Sequence, residues 1–159
     1  MRIQVVSVLK KVGLLCAIVL ATVVASAQAQ TLGSRVSAHI PFDFSIGDKK
    51  LPSGKYSVGR ARQNSDDLVL SVEDKGGRSQ ALRTSMAVVS LNTTSRAKLV
   101  FHRYGDQYFL YQVWAAGATS GRQFPKSRSE REVLQNLGTV GKTDPKVTVD
   151  TVTIAGDLR

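Results

Sequence analysis

Two histidines, His39 and His102, are all the imidazole this 159-residue chain can offer to acid–base or metal chemistry. Asp43 lies near the first and Asp106 near the second, but neither spacing is diagnostic of a metal-ligand set. A nucleophilic triad also needs a hydroxyl or thiol within reach of a base and a third group to orient that base. The chain has no G-x-S-x-G turn, and its one cysteine, Cys16, sits inside an apolar run. A carboxylate-pair hydrolase would hold two acids about 5–10 Å apart across a cleft. Asp43, Asp66, Asp67, Glu73 and Asp74 fall instead in polar, turn-like clusters, where acids usually organise turns. With no glycine-rich phosphate loop and no dinucleotide fingerprint, the sequence assigns no catalytic residue, no metal and no cofactor.

Binding chemistry is better represented. The stretch "FHRYGDQYFLYQVW", Phe101 to Trp114, gathers His102, Arg103, Asp106, three tyrosines, two phenylalanines and the only tryptophan. Arg103, Tyr104, Tyr108 and Tyr111 are the candidate contacts there, because rings with a polar handle suit sugars and wet interfaces. A second group, Arg122, Lys126, Arg128 and Arg131, concentrates positive charge in one short segment. The chain carries 22 Lys and Arg against 12 Asp and Glu. Anionic partners such as an envelope polymer, an acidic glycan or a membrane surface match that excess. Nucleic acid is not expected, since the chain has neither an aromatic RNA-binding motif nor a recognition-helix pattern.

The elements that must position these groups read as strands. Val36, Ala38, Ile40, Phe42 and Phe44 alternate with polar residues, and Pro41 within that run suggests an edge or a bulge, hence a poor template for strand addition. Pro52 and Gly54 mark a turn before a strand at Tyr56 and Val58. "LVLSVED" and "SQALRTSMAVVSL" flank the turn "DKGGR" as a hairpin. Asn92-Thr93-Thr94 matches a glycosylation sequon and is read as loop. Strands are expected at 97–104 and 107–114, joined at Gly105-Asp106 by a type II′ turn, with Arg103 opposite Tyr108 and Ala97 opposite Trp114. That register puts Leu99, Phe101, Leu110 and Trp114 on one face, and Val100, His102, Phe109 and Tyr111 on the other. With bulk on both faces, the pair belongs at the centre of a packed domain. A helix follows near 127–137, with Ser127 as its cap, Glu130 completing a capping box and Gly138 as its stop. A last strand runs from Lys146 to Ile154. The sum is an all-β domain, a single antiparallel sandwich or partly open barrel of about 7–8 strands with one short helix.

Residues 1–29 read as a cleavable signal peptide. Arg2, Lys10 and Lys11 precede the apolar run Val12 to Ala25, and A-x-A patterns allow cleavage after Ala27 or Ala29. Without those three cations, 19 basic residues remain against 12 acidic ones, a charge of +7 on a single domain spanning 30–159. The segments "IPFDFSIGDKKLPSGKYSV" (40–58), "LVFHRYGDQYFLYQVW" (99–114) and "GRQFPKSRSEREV" (121–133) resemble those of a family of small exported bacterial proteins, acidobacterial in type and without an established activity. The resemblance implies export and a compact β-rich domain, and carries over no functional residue. The expected role is a non-catalytic structural or binding domain of the periplasm, outer envelope or extracellular space, with a small envelope-glycan hydrolase or transferase as the alternative.

Overall fold

The computed structural model describes residues 35–62, 68–140 and 149–159. The expected signal peptide, with both cleavage positions and Cys16, lies outside them, as does the start of the expected last strand. The described chain forms β1 (Val36–Ile40), β2 (Phe44–Ile46), β3 (Lys49–Leu51), β4 (Gly54–Arg60), β5 (Val69–Asp74), β6 (Ser79–Thr84), β7 (Met86–Val89), β8 (Ala97–Tyr104), β9 (Gln107–Trp114), β10 (Ser120–Gln123), α1 (Arg128–Val140) and β11 (Asp150–Leu158). The architecture is all-β with one short helix. Strands beyond the expected number are mostly three- and four-residue pieces, too short to leave an alternating pattern.

The ladders form a ring. β1 lies between β11 and β4, β4 pairs with β5, and β5 with β6. In the other direction β11 pairs with β8, β8 with β9, β9 with β10, and β10 with β7. Only Ser85 separates β6 from β7, so a single bent strand is bonded to β5 along its first half and to β10 along its second. The β2–β3 hairpin meets the start of β9, and the Lys49 ammonium donates to the Gln80 carbonyl of β6. The sheet thus curls into a nearly closed barrel, a size whose interior side chains can fill. Val36, Ile40, Val58, Leu70, Leu99 and Phe101 are among those that fill it, all fully enclosed.

Ser85 is the corner, and it is buried. Its N–H and hydroxyl both donate to the Leu68 carbonyl, at 2.6 and 3.0 Å. Arg122 of β10 donates from Nε to Ser85 Oγ and from Nη2 to the Ser85 carbonyl, each at 3.1 Å.

Several expectations are corrected. β1 is central, not an edge, because Pro41, which has no N–H to give, ends the strand rather than interrupting it. β8 and β9 pair as expected from Tyr104–Gln107 to Phe101–Leu110, then the register shifts and Lys98, not Ala97, faces Trp114. The one-residue slip reverses the alternation of β9: Val113 joins the core, and Trp114 leaves the face of Leu99 and Phe101. Its indole lies against Gly121, where an added Cβ would stand 2.6 Å from the ring. The helix runs through Gly138 to Val140, since one helical glycine costs only about 1 kcal/mol. The C-terminal tail belongs to β11, with Leu158 opposite Val36.

Replacing Arg122 with alanine strips the Ser85 corner of its donors. The expected result is a loss of about 2 kcal/mol in folding stability, read from urea midpoints at constant slope.

Candidate functional site

The basic segment is held by the start of α1. Ser127 caps the helix, accepting from the Glu130 N–H at 3.1 Å. Asp48, in the β2–β3 turn, accepts from the Ser129 N–H at 3.0 Å, and the Ser129 hydroxyl donates to the Gly47 carbonyl at 3.3 Å. That backbone hydrogen bond, acting against burial and helped by the Ser129 hydroxyl and the charge of Arg83, holds the Asp48 carboxyl below its ordinary pKa. Phe124 anchors the approach to the helix. It is buried, and its N–H donates to the Tyr111 carbonyl at 2.8 Å.

Glu130 does not close a capping box. Its carboxylate turns onto the outer wall of the barrel and is buried there. One oxygen, Oε1, accepts from His102 Nδ1 at 2.8 Å and from the Tyr104 hydroxyl at 2.9 Å. Since an ionised carboxylate only accepts, Nδ1 carries the proton in that contact. Burial pushes the Glu130 pKa up, but the hydrogen bonds from His102 and Tyr104, with the charges of His102 and Lys126, outweigh it and hold the pKa below the ordinary range. Desolvation, followed by the Glu130 hydrogen bond, drives the Tyr104 hydroxyl far above its usual value. The His102 ring stacks on Tyr111 at 3.8 Å between centroids. A histidine oriented by a carboxylate is part of a catalytic arrangement. Here the pair is enclosed, and among the described residues no hydroxyl or thiol bonds to the ring. The cluster therefore acts as a pin that fixes α1 to β8.

The expected contact residues separate into two groups. Tyr104 is buried on Glu130, Tyr111 is stacked on His102, and Tyr108 is stacked on Phe42 at 3.9 Å. Arg103 lies over the Tyr108 ring at 5.7 Å and donates to the Gly105 carbonyl. These rings spend their faces on internal packing. Arg122 is buried at the Ser85 corner and so is no surface contact. Lys126, Arg128 and Arg131 are exposed together at the start of α1. The Arg131 guanidinium donates to the Lys126 carbonyl at 3.0 Å, and Arg128 pairs with Glu132 at 2.9 Å while its side chain stays 82% exposed.

Sequence reasoning missed the partnership of Glu130 with His102. The one available signal was an acid in the middle of a basic helix start, which local capping explained equally well. A separate cleft of about 340 Å³ lies between the β2–β3 hairpin and the β8–β9 turn, lined in part by Asp43, Lys50, Asp106 and Tyr108. Asp43 is partly committed there, accepting from the Ser53 N–H at 2.8 Å. Among the described residues no three His, Cys, Asp or Glu side chains converge as metal ligands.

No family model matches the chain, and neither a curated protein nor a solved structure matches it.

The Glu130 pin has a definite pH dependence. Its folded pKa is lowered, so its contribution to stability is present above the unfolded value and lost as pH falls through the folded one. Glu130→Gln is expected to cost about 2 kcal/mol at neutral pH and to flatten the acid limb of stability below about pH 5. Urea midpoints measured across pH for both proteins give the comparison.

Proposed function

We propose that this protein is an exported, non-catalytic envelope domain that presents a fixed basic shoulder to an anionic polymer or membrane surface. The observation that carries the reading is the exposure of Lys126, Arg128 and Arg131 within one six-residue span of a helix start that Asp48, Ser127 and Glu130 hold in place. Pre-organised cations lose less freedom on binding than cations on a loose tail. Export rests on the signal-like first 29 residues and on the resemblance to small exported bacterial proteins. Among the described residues no helix is long and apolar enough to cross a membrane.

The test is co-sedimentation with phosphatidylglycerol vesicles and with isolated wall polymer, at low and high salt. Each basic residue near an anionic surface contributes about 1 kcal/mol, so neutralising Lys126 and Arg131 together is expected to weaken retention roughly 30-fold. Retention that ignores both salt and the double substitution would sink the reading.

The cleft containing Asp43 and Asp106 favours a second reading, a small hydrolase or transferase of envelope glycans. Its weakness is that Asp43 already serves the Ser53 turn. Release of glycan fragments by the wild type and its loss in Asp106→Asn would establish this reading; under the first, neither protein releases any.

A further inference from the structure

Arg83 differs from the other partly buried arginines of the barrel in having nothing to hold. Arg35 donates to the Ser57 hydroxyl and pairs with Glu73 at 2.9 Å, and Arg122 donates to Ser85. Arg83 stands opposite Leu70 across the β5–β6 ladder, and cross-strand partners leave a sheet on the same side. Leu70 is fully enclosed, so the Arg83 side chain sets out from the core face near the end of β6. Its guanidinium then lies against Gly47, where an added Cβ would collide with Nε, Cζ and Nη2. The Nε is enclosed without a hydrogen-bond partner, and among the described residues the guanidinium makes neither a hydrogen bond nor an ion pair. A charged donor withdrawn from water is costly unless an acceptor meets it.

A cavity of about 200 Å³ opens at this guanidinium, lined by Gly47, Asp48, Arg83, Thr84, Lys126 and Ser127 among others. Lys126 brings a second cation from a different element, the segment between β10 and α1. Among the described residues its ammonium has no hydrogen bond or ion pair, and it acts on Glu130 through charge alone. Asp48 opposes an anion here, but its Oδ1 accepts from the Ser129 N–H, and Arg83 bears on it only through charge. Two cations against one acid leave the lining with one positive charge in excess. The start of α1 is not the attraction, because the Ser129 and Glu130 N–H groups already go to Asp48 and Ser127.

We infer that this cavity seats a single phosphate group, gripped by the Arg83 fork and the Lys126 ammonium. Its size excludes larger ligands, whose pockets begin at about 300 Å³. Shape selects phosphate over carboxylate. A planar carboxylate spends both oxygens on one guanidinium fork, whereas a tetrahedral phosphate fills the fork and still offers an oxygen to an ammonium arriving from another element. Phosphate occurs free and on phospholipid headgroups, and the seat requires only the group they share. The inference rests on the basic-shoulder reading for a surface-borne source alone: a headgroup drawn in by Arg128 and Arg131 would find its place beside Lys126, at Arg83.

Amide chemical shifts followed during titration with sodium phosphate, and with sodium acetate at matched ionic strength, test the seat. Phosphate is expected to give saturable shifts at Gly47, Thr84 and Ser127, and acetate none that saturate. Arg83→Gln is expected to weaken phosphate binding roughly tenfold with melting temperature unchanged, since Arg83 has no internal hydrogen bond to lose. Lys126→Gln, at an exposed side chain, is expected to weaken it several-fold and reads the seat independently of Arg83. Phosphatidylglycerol vesicles separate the sources. Salt-sensitive retention that Arg83→Gln weakens assigns the seat to a headgroup, and retention that Arg83→Gln leaves unchanged, with phosphate still bound by the wild type, assigns it to free phosphate. No saturable response to phosphate, an equal response to acetate, or undiminished phosphate binding by a folded Arg83→Gln or by Lys126→Gln would each overturn the inference and leave salt-sensitive retention by the shoulder standing. Failure of the shoulder reading shows separately, as retention that ignores salt while phosphate still binds at Arg83.

Discussion

The Arg122 guanidinium reaches Ser85 at the point where one strand changes partners, and closure of the barrel depends on that exchange. A strand leaving one ladder for another must bury peptide groups that neither ladder satisfies, and such orphans cost about as much as a lost hydrogen bond. Here the Ser85 N–H and hydroxyl go to Leu68, and its carbonyl goes to Arg122. A guanidinium suits the corner because its fork addresses the hydroxyl oxygen and the carbonyl together, which a single ammonium could not do in the same geometry. Everything enclosed by the ring, from Val36 to Phe101, relies on that closure.

On the outer wall the organising group is the Glu130 carboxylate. A buried charge is tolerated only where donors replace its water, and His102 and Tyr104 supply two to one oxygen. The helix cannot slide without breaking both contacts, so the direction of its exposed cations follows from a side chain on the opposite face. The dense aromatic stretch has the same origin. β8 and β9 are covered inside by the core and outside by α1 and its approach, and a strand pair covered on both faces needs bulk on both.

What the sequence made legible were local patterns: the alternation that defines β8 and β9, the glycine turn at Gly105 with its positive φ, the Asp74 to Arg78 hairpin and the Ser127 cap. What escaped it was set by residues distant in the chain. The slip between Val100 and Phe101 moves Trp114 off its expected face, yet nothing in either strand's alternation announces it. Arg122 and Lys126 looked alike in one basic run. They differ because Arg122 belongs to β10, a four-residue strand defined by its pairing with β7 and β9, while Lys126 lies beyond the end of that strand. Charge counts could not tell a guanidinium that closes a barrel from one that meets solvent.

Two surfaces of opposite character follow from the same bent strand. Its first half ends beside Arg83 and the start of α1, where the exposed cations collect; its second half, Met86 to Val89, carries no charge. An anionic surface would gain Coulomb energy beside the first half and none beside the second. Contacts of about 1 kcal/mol per cation are weak singly, so retention on an extended anionic surface would depend on Lys126, Arg128 and Arg131 meeting it together, which the fixed start of α1 favours.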